Sequence, residues 1–183
     1  MRYAQIRNMD ISNGENIGVS LFVQGCRFRC KNCFNPETWD FNDGKEWTEE
    51  VENKFFELID RPYIQRVSIL GGEPLANENA STVLDLIKKI KSKHPEKSIW
   101  LYTGYTFEEL CEMYCNEQTY NYLSDNANRH IIFSNLQYVD VIVDGRYVDK
   151  LRDLTLKFRG SSNQRVIDIK KTLKENQIIL YNN

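Results

Sequence analysis

The sequence predicts an α/β fold: an open, partial (β/α) barrel of about five to six parallel strands, forming one domain over residues 1–183. Three observations predict it. Short β-prone runs alternate with segments of helical periodicity, and parallel strands need a connection long enough to hold a helix. At roughly 30 residues per βαβ unit, 183 residues cannot complete the eight units of a closed barrel, which takes about 250. No internal repeat, low-complexity tract or Pro/Gly/Ser-rich linker marks a second domain.

Each element follows from local pattern. Val19-Ser20-Leu21-Phe22-Val23 reads as a buried strand that runs into Gly25 and Cys26. Thr48 is placed to cap a helix whose apolar positions Val51, Phe55, Leu58 and Ile59 recur at helical spacing, and Pro62 closes it. Val67-Ser68-Ile69-Leu70 reads as a strand leading to Gly71-Gly72-Glu73-Pro74. A second helix carries Val83, Leu84, Leu86, Ile87 and Ile90 and ends near His94-Pro95, before the strand Ser98-Ile99-Trp100-Leu101-Tyr102. Thr106 caps a third helix through Leu110 to Tyr114, a polar stretch covers 116–129, and Val139-Asp140-Val141-Ile142-Val143 makes another strand. Beyond Gly145 the regularity fades; 154–158, 164–169 and 177–181 read as short extra strands around one turn of helix.

Composition narrows the function. With 24 Lys and Arg against 26 Asp and Glu, the net charge of -2 gives no long-range attraction for phosphate backbones, so a nucleic-acid-coating role is disfavoured. No apolar run reaches the roughly 18 residues that cross a bilayer, and the polar opening from Met1 to Asn13 lacks a signal-peptide core. A cytoplasmic protein is expected. Five cysteines is an odd number with three packed together, which suits reduced, metal-binding thiolates better than disulfides.

The decisive segment is Cys26-Arg27-Phe28-Arg29-Cys30-Lys31-Asn32-Cys33-Phe34-Asn35-Pro36. Three soft sulfur ligands on one loop select zinc, copper(I) or an iron–sulfur centre over hard cations. A structural zinc site is normally closed by a fourth Cys or His, yet His94 and His130 stand far along the chain without paired spacing. A four-iron cluster held by three cysteines keeps one iron open, the vacancy a metal needs to bind a substrate such as S-adenosylmethionine.

This CxxxCxxC spacing resembles the motif of the radical S-adenosylmethionine superfamily, and Gly71-Gly72-Glu73-Pro74 is similar to its second motif, where strand-end backbone meets the methionine amino group. Cys33-Phe34-Asn35-Pro36-Glu37-Thr38-Trp39, Leu101-Tyr102-Thr103-Gly104-Tyr105-Thr106, Val143-Asp144-Gly145-Arg146-Tyr147 and Arg159-Gly160-Ser161-Ser162-Asn163-Gln164-Arg165 resemble, within it, the anaerobic ribonucleoside-triphosphate reductase activating proteins. The likeness implies a radical S-adenosylmethionine type of partial barrel and one [4Fe-4S] cluster held by Cys26, Cys30 and Cys33. It also implies S-adenosylmethionine bound by Cys33, Gly71, Gly72 and Glu73, with Asn32 and Phe34 flanking the adenine. The activity it implies is generation of a 5'-deoxyadenosyl radical that leaves a glycyl radical on the reductase. Many superfamily members carry an aromatic residue just before the third cysteine; here that position is Asn32 and the aromatic is Phe34, as in the activases. An activase of the pyruvate formate-lyase type would share every cofactor residue, and a non-catalytic zinc adaptor is the rival of another class.

The remaining signals have plainer readings. Cys111 and Cys115 lie four apart on a helix face, as core or surface thiols. His94 reads as a helix-end residue and His130 as a loop residue. The Glu73 carboxylate suits either a cofactor contact or a turn cap, and Asp144 either a substrate contact or a solvated turn. The loop from Gly160 to Arg165 is a plain connection or a lip for a partner peptide. Arg27, Arg29 and Lys31, interleaved with the cysteines, are a solvated surface or a dock for an acidic, flavodoxin-like electron donor.

Overall fold

In the structure, a computed structural model describing residues 1–115 and 136–181, strands and helices alternate as expected through the middle of the chain. The order is β1 (Arg2–Asp10), β2 (Gly18–Val23), β3 (Lys45–Glu46), α1 (Glu49–Ile59), β4 (Arg66–Gly71), α2 (Asn77–Lys93), β5 (Ser98–Tyr102), α3 (Phe107–Cys115), β6 (Val141–Asp144), β7 (Arg165–Asp168) and α4 (Ile169–Glu175). His130 and the whole polar stretch at 116–129 lie outside the described residues.

The expected all-parallel set of five to six strands is corrected to a mixed, open sheet of seven strands in the order β3-β1-β2-β4-β5-β6-β7. Only β2, β4, β5 and β6 are mutually parallel; β1, β3 and β7 pair antiparallel to their neighbours. Connection chemistry explains the difference. Helices follow β3, β4 and β5, whereas β1 reaches β2 through residues 11–17, too short for a crossover. The link from β6 to β7 holds only a 3₁₀ turn, Asp149–Leu151, so the chain comes back antiparallel.

β1 was hidden by its polar sequence. It is anchored by Arg66, fully buried, whose guanidinium donates to the carbonyls of Asp10 (2.6 Å), Asn13 (2.5 Å) and Glu15 (2.9 Å) and lies 3.6 Å from the Asp10 carboxylate. A charge buried this way is tolerated because every donor direction finds an acceptor.

Helix starts obey their sequence signals. The Val51 N–H donates to the Thr48 hydroxyl (3.3 Å), and at α3 Thr106 and Glu109 exchange reciprocal bonds of 2.8 and 3.1 Å, a capping box. The main core joins one face of the sheet to the helices, with Phe55, Ile59, Leu84, Ile87 and Leu110 packed on Val67, Ile69 and Leu101. On the other face a smaller cluster, Trp100, Val141, Val143 and Val166, is covered by Phe158 and Tyr181, whose rings stand 5.0 and 5.2 Å from Trp100. Neither 154–158 nor 177–181 forms the strand expected of it: Phe158 adopts a left-handed φ of 61°, and the terminal run makes one bridge, Ile167 to Leu180. Among the described residues no helix is long and apolar enough to cross a membrane.

Candidate functional site

Four parallel strands deliver their C-terminal ends to one edge of the sheet, as the pairings Val23 with Gly71 and Tyr102 with Val143 show. The loops that follow enclose a cleft of about 570 Å³. Cys26, Cys30, Cys33, Phe34 and the Gly71-Gly72-Glu73 turn all line it, so residues 40 positions apart in the chain face one space. Asn32 is not in that lining; its amide donates to Asp149 at 2.8 Å.

The cysteine loop is held at its stem and open at its tip. Gly25 and Cys26 donate backbone N–H groups to Thr38 (2.8 Å) and Trp39 (3.0 Å), and a turn closes from Cys33 N–H to Cys30 C=O (3.1 Å). Arg29 and Asn32 take left-handed φ values of 46° and 55°, a conformation that side chains such as arginine's disfavour. All three sulfurs receive backbone donors: Phe28 and Arg29 N–H toward Cys26, Tyr147 N–H toward Cys30, and Asn35 N–H to Cys33 at 3.4 Å. Burial nevertheless pushes the Cys26 and Cys30 thiols up from their ordinary range.

The donor set matches an incompletely ligated cluster. The thiols are half-buried, and the described lining of the cleft contains neither a histidine nor a fourth cysteine. The described residues gather no three His, Cys, Asp or Glu side chains arranged to hold a metal ion. Backbone N–H groups aimed at sulfur are a recognised means of setting cluster potential.

The opposite wall is built more tightly. Gly72 and Glu73 N–H groups donate to Val23 C=O (2.9 Å) and Gly25 C=O (2.8 Å), stitching this turn to the root of the cysteine loop. A Cβ on Gly72 would fall 2.5 Å from the Gly25 carbonyl oxygen, so only glycine allows this approach. The Gly72 carbonyl accepts no backbone hydrogen bond among the described residues. The Glu73 carboxylate is buried and engaged by the protein's own donors, Leu75 N–H (2.9 Å), Thr103 hydroxyl (2.8 Å) and Gly104 N–H (2.8 Å). Burial raises it to about 7 against those three bonds, which act to lower it.

Tyr102, which ends β5, and Thr103, Gly104, Arg146 and Tyr147, which follow β5 and β6, complete the cleft; the sequence marked their segments by family resemblance without giving these residues a place in the site. Position was the available signal, since ligands meet open α/β sheets beyond the carboxyl ends of parallel strands. Phe28 stacks edge-on with Tyr105 at 4.9 Å beneath the Arg146 guanidinium (4.7 Å), and Phe34 tilts on Tyr147 at 5.0 Å. Among the described residues the buried Tyr102 hydroxyl has no hydrogen-bond partner.

Other expectations resolve by contact. Asp144 is neither solvated nor turned to the cleft: it is buried, accepts the Phe107 N–H (2.8 Å) and pairs with Arg165, which also bonds Glu108 (2.8 and 2.5 Å). The 160–165 loop is pinned by Gln164, whose amide takes the Gly160 N–H (2.9 Å) and reaches the Gly145 carbonyl (3.0 Å). Arg27 bonds Glu78 (2.8 Å) and covers Phe41 while staying exposed; Arg29 and Lys31 are exposed as well. His94 ends α2 and meets Asp60 at 2.7 Å; Cys111 packs against the core, and the Cys115 side chain lies outside the described residues.

Comparison with known proteins agrees with this construction. Residues 12–167 match the family model described as a 4Fe-4S single cluster domain. The anaerobic ribonucleoside-triphosphate reductase-activating protein of Vibrio cholerae serotype O1 is 36% identical over 90% of this chain and 96% of its own length. Proteins of the same name from Enterobacteria phage T4 (34% identical, 91% of this chain, 93% of theirs) and Escherichia coli strain K12 (34%, 91% and 97%) align equally fully. Matched along nearly its whole length, the chain belongs to the family of anaerobic ribonucleoside-triphosphate reductase-activating proteins, built on the 4Fe-4S single cluster domain.

Proposed function

We propose that this chain is the radical S-adenosylmethionine activase of an anaerobic ribonucleoside-triphosphate reductase, a cytoplasmic enzyme built on the superfamily's partial barrel. One observation carries the reading: three cysteines and the Gly71-Gly72-Glu73 turn line the same cleft, whose described lining offers no fourth Cys or His. When bound, a reduced cluster would supply one electron to the sulfonium of S-adenosylmethionine, so that a C–S bond breaks to methionine and a 5'-deoxyadenosyl radical, which becomes 5'-deoxyadenosine on taking a hydrogen atom from a glycine of the reductase.

The chain's own residues hold and orient. Cys26, Cys30 and Cys33 would hold the cluster, and the N–H groups of Phe28, Arg29, Tyr147 and Asn35 are placed to steady their sulfurs. The Gly72 carbonyl accepts from the methionine amino group, on a turn that Glu73 fixes to Thr103 and Gly104. Phe34, half exposed beside Tyr147, offers a ring face to the adenine, with Asn32 shaping the loop through its bond to Asp149. Arg29 and Lys31 steer an acidic donor such as flavodoxin toward the cluster edge.

Anaerobic reconstitution tests this. Iron and sulfide in four-iron proportion, 5'-deoxyadenosine under dithionite, and a glycyl doublet in electron paramagnetic resonance with the reductase are expected. A doublet on a pyruvate formate-lyase type enzyme but not on the reductase would reassign the substrate, and a colourless zinc protein with no cofactor cleavage would end the proposal.

A further inference from the structure

A protein substrate has to reach a cleft formed by small loops, and one stretch of the rim is built unlike the rest of the surface. Val148, Leu151 and Leu154 are 38%, 43% and 74% exposed, and Phe34, 51% exposed, joins them through its contact with Tyr147. Large apolar side chains gathered at one place on a surface mark an interaction site.

Charge is segregated along the same stretch. From Arg146 to Arg159 there are five Lys and Arg and two Asp, a local excess of three positive charges in a chain of net charge -2. Both aspartates are used internally: Asp149 accepts from Asn32 (2.8 Å) and Tyr147 (3.2 Å), and Asp153 from Thr155 (2.9 and 2.7 Å). Lys150 and Lys157 are exposed and make no ion pair among the described residues, and Arg152 lies over the Phe34 ring at 5.6 Å.

The stretch is also fixed in place. Ser162 N–H donates to Leu151 C=O (2.9 Å), Asp153 N–H to Gly160 C=O (3.2 Å), and Arg152 bridges Ser161. Preformed surfaces lose less freedom on binding. Leu154, Leu156, Arg159 and Gly160 belong to the cleft lining too, so the rim runs without a break into the space beside the cysteines.

We infer that the lip formed by Val148, Lys150, Leu151, Arg152, Leu154 and Lys157 is the docking surface for the protein substrate, and that the segment it receives is apolar with acidic residues beside it. Resting on the activase reading, this names the chemistry of the partner at that site. Apolar contact with Leu151 and Leu154 supplies affinity, and the cations select and steer a negatively charged strand of the reductase toward the cleft.

The test uses the reconstituted holoenzyme and its own reductase. Lys150→Glu with Lys157→Glu should weaken reductase binding about tenfold or more at low ionic strength and flatten its salt dependence. Val148→Ser with Leu151→Ser, both outside the cleft lining, should weaken it at all salt concentrations. Both pairs should leave dithionite-driven 5'-deoxyadenosine release without reductase within about twofold of the unaltered enzyme, as should the control Leu173→Ser, an exposed leucine on α4. Unchanged reductase affinity in both pairs overturns the inference, as does loss of self-association with reductase affinity intact, which would assign the lip to a second copy of this chain. An unaltered enzyme that binds its reductase through this lip yet never forms a radical would instead overturn the activase reading and leave the docking surface standing.

Discussion

The two walls of the cleft are made by opposite means. The cysteine loop carries its thiols on backbone with two left-handed non-glycine residues and few internal bonds, while the Gly71-Gly72-Glu73 turn is stitched to β2's exit and locked by the buried, triply bonded Glu73 carboxylate. One wall needs its ligand to be complete; the other is finished before any ligand arrives. On the activase reading, metal binding at the cysteine loop would double as local folding energy, and the glycine side would be the fixed reference against which the cofactor is placed.

Substitutions break this contrast in graded fashion. Replacing any one of Cys26, Cys30 or Cys33 with Ala should abolish cluster assembly and 5'-deoxyadenosine formation, yet shift unfolding of the metal-free protein by less than about 1 kcal/mol, since each thiol is only half-buried. Iron and sulfide analysis beside denaturant titration reads both halves. Glu73→Ala should do the reverse, costing about 2–4 kcal/mol in the metal-free protein by stranding Leu75 N–H, Gly104 N–H and the Thr103 hydroxyl.

The same carboxyl gives a pH signature. Its folded value of about 7 exceeds the ordinary 4.5, so the folded chain holds that proton more tightly than the unfolded one. The stabilisation is complete below the unfolded value and is lost as pH rises through about 7. Between pH 5 and 8 the metal-free protein should lose on the order of 2 kcal/mol relative to Glu73→Gln, which has no such proton to give up. Equal slopes would show that the three hydrogen bonds keep Glu73 ionised throughout.

Smaller effects sharpen the picture. Gly72→Ala pushes a methyl group onto the Gly25 carbonyl and should cost about 1–2 kcal/mol while weakening S-adenosylmethionine binding, measured by calorimetry on reconstituted protein. Arg29→Gln with Lys31→Gln should slow reduction by an acidic donor a few-fold and flatten its salt dependence, leaving reduction by dithionite unchanged.

Legibility from sequence followed the strength of local signals. The strands at Val67 and Ser98 and the caps at Thr48 and Thr106 are written in neighbouring residues, and the structure reproduces them. β1 was invisible because its hold on the sheet comes from Arg66, more than 50 positions away, and from pairing with β2. The all-parallel expectation fails where a connection lacks a helix, between β1 and β2 and between β6 and β7. The cysteines and glycines of the site were readable as motifs, whereas Tyr102, Arg146 and Tyr147 belong to it only through the sheet that brings their strand ends together. Asp144 was misread as a surface turn because its partner Arg165 arrives on a strand running the other way.

That reversed strand has an evolutionary corollary. β6 leaves and β7 enters at the same end of the sheet, clasped at the base by Asp144 and Arg165, so residues 145–164 form an excursion tethered at both feet. Lengthening such a tethered span costs little entropy, about 0.6 kcal/mol per doubling. Its crest can therefore be redrawn, by insertion or deletion, to suit a new client without unpicking the scaffold beneath, which makes it the place where divergence between otherwise matching homologues should concentrate.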